Sequence, residues 1–269
     1  MLLWHLMSAP LTLRNVFWAA TSLGEVVLIF YLIHRRLVRS HLWLFLYFCC
    51  TVIQSALGVI TYSLLDFGSA ATRDIIWSSQ AVVITMRFSA VCEMARRILA
   101  RYVGIWALAQ RVLLIVAAGV LFYAAVFSEK RLSLMILTVD RGAELTIASF
   151  IVGLLLFARY YMLEIEPLDR GLSIGFGLYS CFYVINDSLL EKWMEPYVGF
   201  WGFMDIITFL ASLLIWIQAV RAYAPALEFV TSRSMSSDLY GALSAEVNVR
   251  LRLLNDQLAQ LLRSESTRP

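Results

Sequence analysis

The sequence predicts an all-α membrane protein: a bundle of seven transmembrane helices, N-terminus outside and C-terminus inside, followed by a cytoplasmic amphipathic helix. Three observations predict it. The 269 residues are 61% hydrophobic and only 15% charged, against about 25% charged in soluble domains. The apolar residues gather in runs of about twenty, the length a hydrocarbon core of about 30 Å requires. Arginine collects in alternate gaps: Arg35, Arg36 and Arg39 in the first, Arg96, Arg97 and Arg101 in the third. Arg159 and Arg170 flank the fifth gap, and Arg221 and Arg233 follow the last run. Cations next to short loops stay on the cytoplasmic side, so this alternation sets the orientation.

Residues 1–13 carry Trp4 in a short apolar run and read as a segment at the outer interface. They lack a basic region and a small-residue cleavage site, so no cleaved signal peptide is expected. The membrane helices are placed at about 14–34, 42–65, 75–99, 105–127, 142–162, 171–190 and 198–221, within a membrane domain of 14–223. Apolar residues surround each segment, as expected where lipid or protein lies on every side. Backbone amides left unpaired in hydrocarbon cost several kcal/mol each, which confines spans to helices and closed barrels. The alternating ten-residue strands of a barrel are absent. Trp77, Trp193 and Trp201 fall near outer ends and Trp43 and Trp106 near inner ends, where indole favours the headgroup boundary. The outer loops hold Arg73, Lys130, Arg131 and Lys192, three of them beside Asp74, Glu129 or Glu191.

Two stretches need separate treatment. Leu132–Val139 is apolar but too short to span; it reads as an outward extension of helix five or as a segment across the outer mouth. After a linker at 224–237 with Pro225 and the Ser232–Ser237 run, Asp238 can cap a helix over 238–263, leaving a tail at 264–269. Val247, Leu251, Leu254, Leu258 and Leu261 repeat by four and three, a short coiled-coil seam widened by Val249, Leu253 and Leu262. It suits a homodimer, a cytoplasmic partner, or the surface of the inner leaflet. Gly171 and Gly175 form a G-x-x-x-G, read as a site of close helix packing.

Cys49, Cys50, Cys92 and Cys181 all lie in apolar runs, so no disulfide framework is suggested. The net charge of +3 is small and sits beside the membrane, which points to lipid as the partner and not to nucleic acid.

Ionisable residues at membrane depth are the sharpest functional clue, because each costs about 2.5–3.5 kcal/mol at a helix centre. Arg87 is central in helix three and Glu25 in helix one. Glu144 and Asp205 lie in the outer halves of helices five and seven, and Asn186 and Asp187 near the outer end of helix six. Gln54 is central in helix two, and Gln80 lies outward of Arg87. With the N-terminus outside, all map between midplane and outer surface and can converge on one cavity. Arg87 stays charged and presents five donors, so it needs a partner, which Glu25 or Asp205 can supply. Such a pair equally suits a buried ion network that fixes helix register. Carboxylates at Glu25, Glu144 and Asp205 also suit a proton pathway.

At the inner end of helix three, Glu93 and Arg97 are four apart and can pair on one face. An acidic residue followed by Arg96 and Arg97 is similar to the inner end of helix three in G-protein-coupled receptors, with different spacing. The layout also resembles microbial rhodopsins, and the seven-helix sensor regions that bacteria join to kinase or cyclase domains, in topology only. A rhodopsin-type pigment requires a lysine in helix seven, whereas the lysines here are Lys130 and Lys192, both placed in outer loops; covalent retinal is argued against. His5, His34 and His41 fall near helix ends, a poor set for a heptahelical zinc hydrolase. No nucleophile elbow or nucleotide loop is present, so no enzyme activity and no cofactor are expected.

The leading expectation is a heptahelical, receptor-like or sensory protein of the plasma (inner) membrane. It binds a small ligand or ion in an outward-facing cavity, with Arg87 anchoring an anionic group, and signals through 238–263 to a partner. A transporter or channel component is the second reading, and a non-catalytic accessory subunit of a membrane complex the third.

Overall fold

A computed structural model describes residues 11–64, 69–100, 102–127, 132–192, 198–223, 249, 250, 252–257 and 260. The described residues form seven long helices: α1 (Leu11–His34), α2 (Leu42–Leu64), α3 (Ala70–Ile98), α4 (Val103–Phe127), α5 (Leu132–Tyr160), α6 (Pro167–Lys192) and α7 (Val198–Ala222). No strand occurs among them. Six, α1 to α5 and α7, are long and apolar enough to cross a membrane. The exception is α6, which carries Asp169, Arg170, Asn186, Asp187, Glu191 and Lys192.

Local signals set the ends. The Ser69 hydroxyl accepts from the Thr72 amide at 3.1 Å and starts α3 five residues before the position expected from hydropathy alone. Pro167 opens α6, where its missing amide hydrogen costs nothing. Helices α1 and α5 stop in the same way. The Leu37 amide reaches back to the Leu32 carbonyl and the Leu163 amide to that of Ala158, with Arg36 and Met162 left-handed at φ 57° and 50°. Helix α5 includes Leu132–Val139 as its first two turns, which decides between the two readings of that stretch.

The bundle is a ring of six with a seventh helix outside. α1 packs on α2 and α7, α2 on α3, α3 on α5, α5 on α6, and α6 on α7, while α3 also meets α6 across the middle. α4 lies outside, against α5, and presents Ile115, Phe122 and Phe127 outward. Tight seams hold the ring together, because lipid tails remove most of the hydrophobic drive between helices and leave packing to do the work. Gly24 of α1 faces Leu213; Gly171 and Gly175 of α6 face Ala219 and Trp216. The G-x-x-x-G is thus the α6–α7 contact. Trp216 is fully buried, meets Phe48 edge-on at 5.3 Å and Phe176 at a tilt at 4.8 Å, and donates to the Leu172 carbonyl at 3.1 Å.

Of the expected 238–263 helix, residues 249, 250, 252–257 and 260 are helical; Val247, Leu251, Leu258 and Leu261 of its seam lie outside the described residues, as do 1–10 and 224–237. Val249, Leu253 and Leu254 are exposed, and the Asn255 side chain accepts from the Gly104 amide in the first turn of α4 at 2.8 Å.

Candidate functional site

The polar groups at membrane depth form two sets inside the ring. The first is centred on Arg87 of α3, which is 3% exposed. Its Nη2 donates to Asp140 Oδ1 at 2.8 Å, and its Nη1 pairs with Glu144. Asp140 and Glu144 are one helical turn apart on α5, so both carboxylates share the inward face. Asp140 Oδ2 also accepts from Gln80 Nε2 at 3.1 Å and Tyr183 Oη at 3.2 Å, and Gln54 Nε2 donates to Gln80 Oε1 at 2.7 Å. The guanidinium carbon lies 5.6 Å from the centre of the Tyr179 ring.

The ion partners of Arg87 are therefore Asp140 and Glu144, in place of Glu25 or Asp205. Asp140 is absent from the sequence-derived set because it precedes the expected start of helix five at 142. Once α5 starts at Leu132, Asp140 and Glu144 fall at i and i+4, the spacing that exposes the pair.

The second set lines a cavity of about 210 Å³. Glu25 of α1, Gln54 of α2, Gln80 and Arg87 of α3, and Asp205 of α7 all contribute to its wall, along with Tyr179 of α6. Five expected site residues thus meet around one space, and Glu144 stands behind Arg87. Glu25 is 4% exposed, and its Oε2 has no hydrogen-bonding partner among the described residues. The same is true of Asp205 Oδ1. Asn186 is buried with its Oδ1 unpaired, but it is not part of this wall. Asp187 lies on α6 with its side chain outside the described residues.

The opposite end of the ring carries a different cluster. Glu93 and Arg97 do not pair with each other there, contrary to expectation. The Glu93 carboxylate accepts from the backbone amides of Leu42, Trp43 and Leu44 at 3.1, 2.9 and 3.4 Å, so it caps α2 from the neighbouring helix. Arg97 turns to α6, with Nε 3.3 Å from both Asp169 oxygens and Nη2 3.4 Å from Glu166. His41 Nε2 lies 3.2 Å from Asp169 Oδ1. These contacts tie the α1–α2 turn to α3 and α6. Spacing within one helix gave no signal for them, because every bond joins different helices. Arg35 reaches the Arg221 carbonyl at the end of α7, 3.0 Å away.

An apolar layer separates the two polar ends. Leu28, Phe48, Val91, Ile151, Phe176 and Trp216, one from each helix of the ring, are all buried in one cluster. Among the described residues no three His, Cys, Asp or Glu side chains converge as metal ligands. No known protein family matches this chain, and no characterised protein or solved structure shows significant similarity to it.

Proposed function

We propose that this chain is a receptor-like or sensory protein of the plasma (inner) membrane, with seven spans, its N-terminus outside and its C-terminus cytoplasmic. In this reading α6 is the seventh span, with its polar residues turned into the ring or placed at its ends. The basic residues Arg35, Arg39, Arg96, Arg97, Arg159, Arg170 and Arg221 share one end of the bundle, which supports a cytoplasmic assignment for that end. The cavity then faces outward and takes a small ligand or ion, and the contact of Asn255 with α4 links the C-terminal helix to the bundle for signalling to a partner.

The single observation that carries this reading is the cavity itself, built by five helices from residues expensive to bury. The apolar layer beneath it, with one buried side chain from each helix of the ring, favours a receptor over a channel or carrier. A density map of the purified chain in nanodiscs tests it. Non-lipid density is expected in the cavity of the parent and lost in Ser55→Phe, which fills the wall. A dry cavity in the parent would overturn the reading in favour of an accessory subunit.

A further inference from the structure

Resting on that reading of the cavity, we infer that its ligand is a small organic cation, an ammonium held between Glu25 and Asp205. The charges decide the sign. Asp140 and Glu144 pair with the one guanidinium, Arg87, while two further carboxylates, Glu25 and Asp205, line the cavity beside it. Arg87 has spent both terminal nitrogens on Asp140 and Glu144, on the α5 side. Two of the protein's own carboxylates thus already stand where the sequence suggested that Arg87 would anchor an anion. The next cation along α5, Arg141, lines the groove between α4 and α5 and not this cavity.

Glu25 and Asp205 are left over. Each lines the cavity with an oxygen buried and unpaired, and Glu25 is 96% buried by its 4% exposure. A buried carboxylate is costly to keep charged, and a cation held against it offsets that cost. The wall offers such a partner more than charge: Trp18, Tyr47 and Phe209 line the same space, and aromatic faces attract alkylammonium groups. A metal ion is less well served, since no three ligating side chains converge among the described residues. The volume of about 210 Å³ is that of about seven waters at ~30 Å³ each, enough for a monoamine of modest size.

The test uses the full chain in nanodiscs and three probes of one shape: phenethylammonium, 2-phenylethanol and phenylacetate. Calorimetry should show the ammonium binding and the other two binding at least about tenfold more weakly. Glu25→Gln and Asp205→Asn should each weaken the ammonium about ten- to hundredfold, the loss expected for a hydrogen bond to a charged group. Should either variant fail to fold, the parent decides alone: saturating phenethylammonium should protect Glu25 from a hydrophobic carbodiimide, read by mass spectrometry of the labelled peptide. Phenylacetate or phenylethanol binding as tightly as the ammonium overturns the cation assignment while leaving the ligand-cavity reading intact. Absence of ammonium binding, or unprotected Glu25, overturns it as well, and the density map with Ser55→Phe then judges the cavity separately.

Discussion

Asp140 and Glu144, one turn apart on α5, engage the two terminal nitrogens of a single guanidinium, that of Arg87 on α3. Together with the Gln80–Asp140 bond, this arrangement fixes the axial register of the two helices. Lipid-facing surfaces slide against one another at little cost, whereas a bidentate grip by two carboxylates does not.

Removing Arg87 alone should be severe. Arg87→Leu leaves two buried carboxylates without a counter-charge, and a loss of about 3–5 kcal/mol is expected. The triple variant Arg87→Leu/Asp140→Leu/Glu144→Leu should recover most of it, because the two carboxylates that paired with the guanidinium are removed with it. Denaturation of the three proteins in matched detergent checks this; a triple variant no more stable than the single one would falsify the network account.

The α6–α7 seam predicts a contrast between glycines. Gly175→Ala drives a methyl group into the Trp216 indole, which is held by Phe48, Phe176 and its bond to Leu172, and should cost about 1–3 kcal/mol. Gly58→Ala meets nothing within 4 Å and should leave stability unchanged or slightly higher. Paired thermal unfolding curves measure both.

Glu93 acts on a helix other than its own. Glu93→Ala strips the first amides of α2 of their acceptor and should cost about 1–2 kcal/mol, within the range for a lost cap. Hydrogen exchange should accelerate at Leu42, Trp43 and Leu44 specifically. Uniform acceleration across α2 would point to general loosening instead.

Met162 ends α5 in a left-handed conformation that suits glycine better than a side chain. Met162→Gly should raise stability by about 1 kcal/mol. A melting temperature at or below that of the parent would show that the methionine side chain, 55% exposed, contributes contacts that offset the backbone cost.

How far the sequence reached depends on which kind of signal was involved. Helix positions followed from runs of apolar residues; α3 and α6 start earlier than expected where Ser69 and Pro167 act, and α5 starts ten residues earlier because Leu132–Val139 joins it. Charged residues deep in the bundle were legible because burial in lipid admits so few of them; Glu25, Gln54, Gln80, Arg87 and Asp205 do share one cavity. Of the two partners of Arg87, Glu144 stands in the sequence-derived set but was not matched to it, and Asp140 lies before the expected start of helix five at 142, ten residues later than the observed one. The Arg97–Asp169–His41 cluster was out of reach for a different reason: which helices are neighbours is a property of the ring, and no periodicity within one helix encodes it. The exclusion of α4 from that ring is of the same kind.

Arg87 and Arg97 ride on one uninterrupted α-helix, about 15 Å apart along its axis at 1.5 Å per residue. One ends in the network beside the cavity and the other grips α6 at the far end, with an apolar septum between them. Among the described residues that septum holds no charged side chain to relay an ion or proton between the ends, but α3 runs through it without a break. An axial displacement of α3 beside the cavity would therefore be carried along the helix to Arg97 and would load its contact with Asp169.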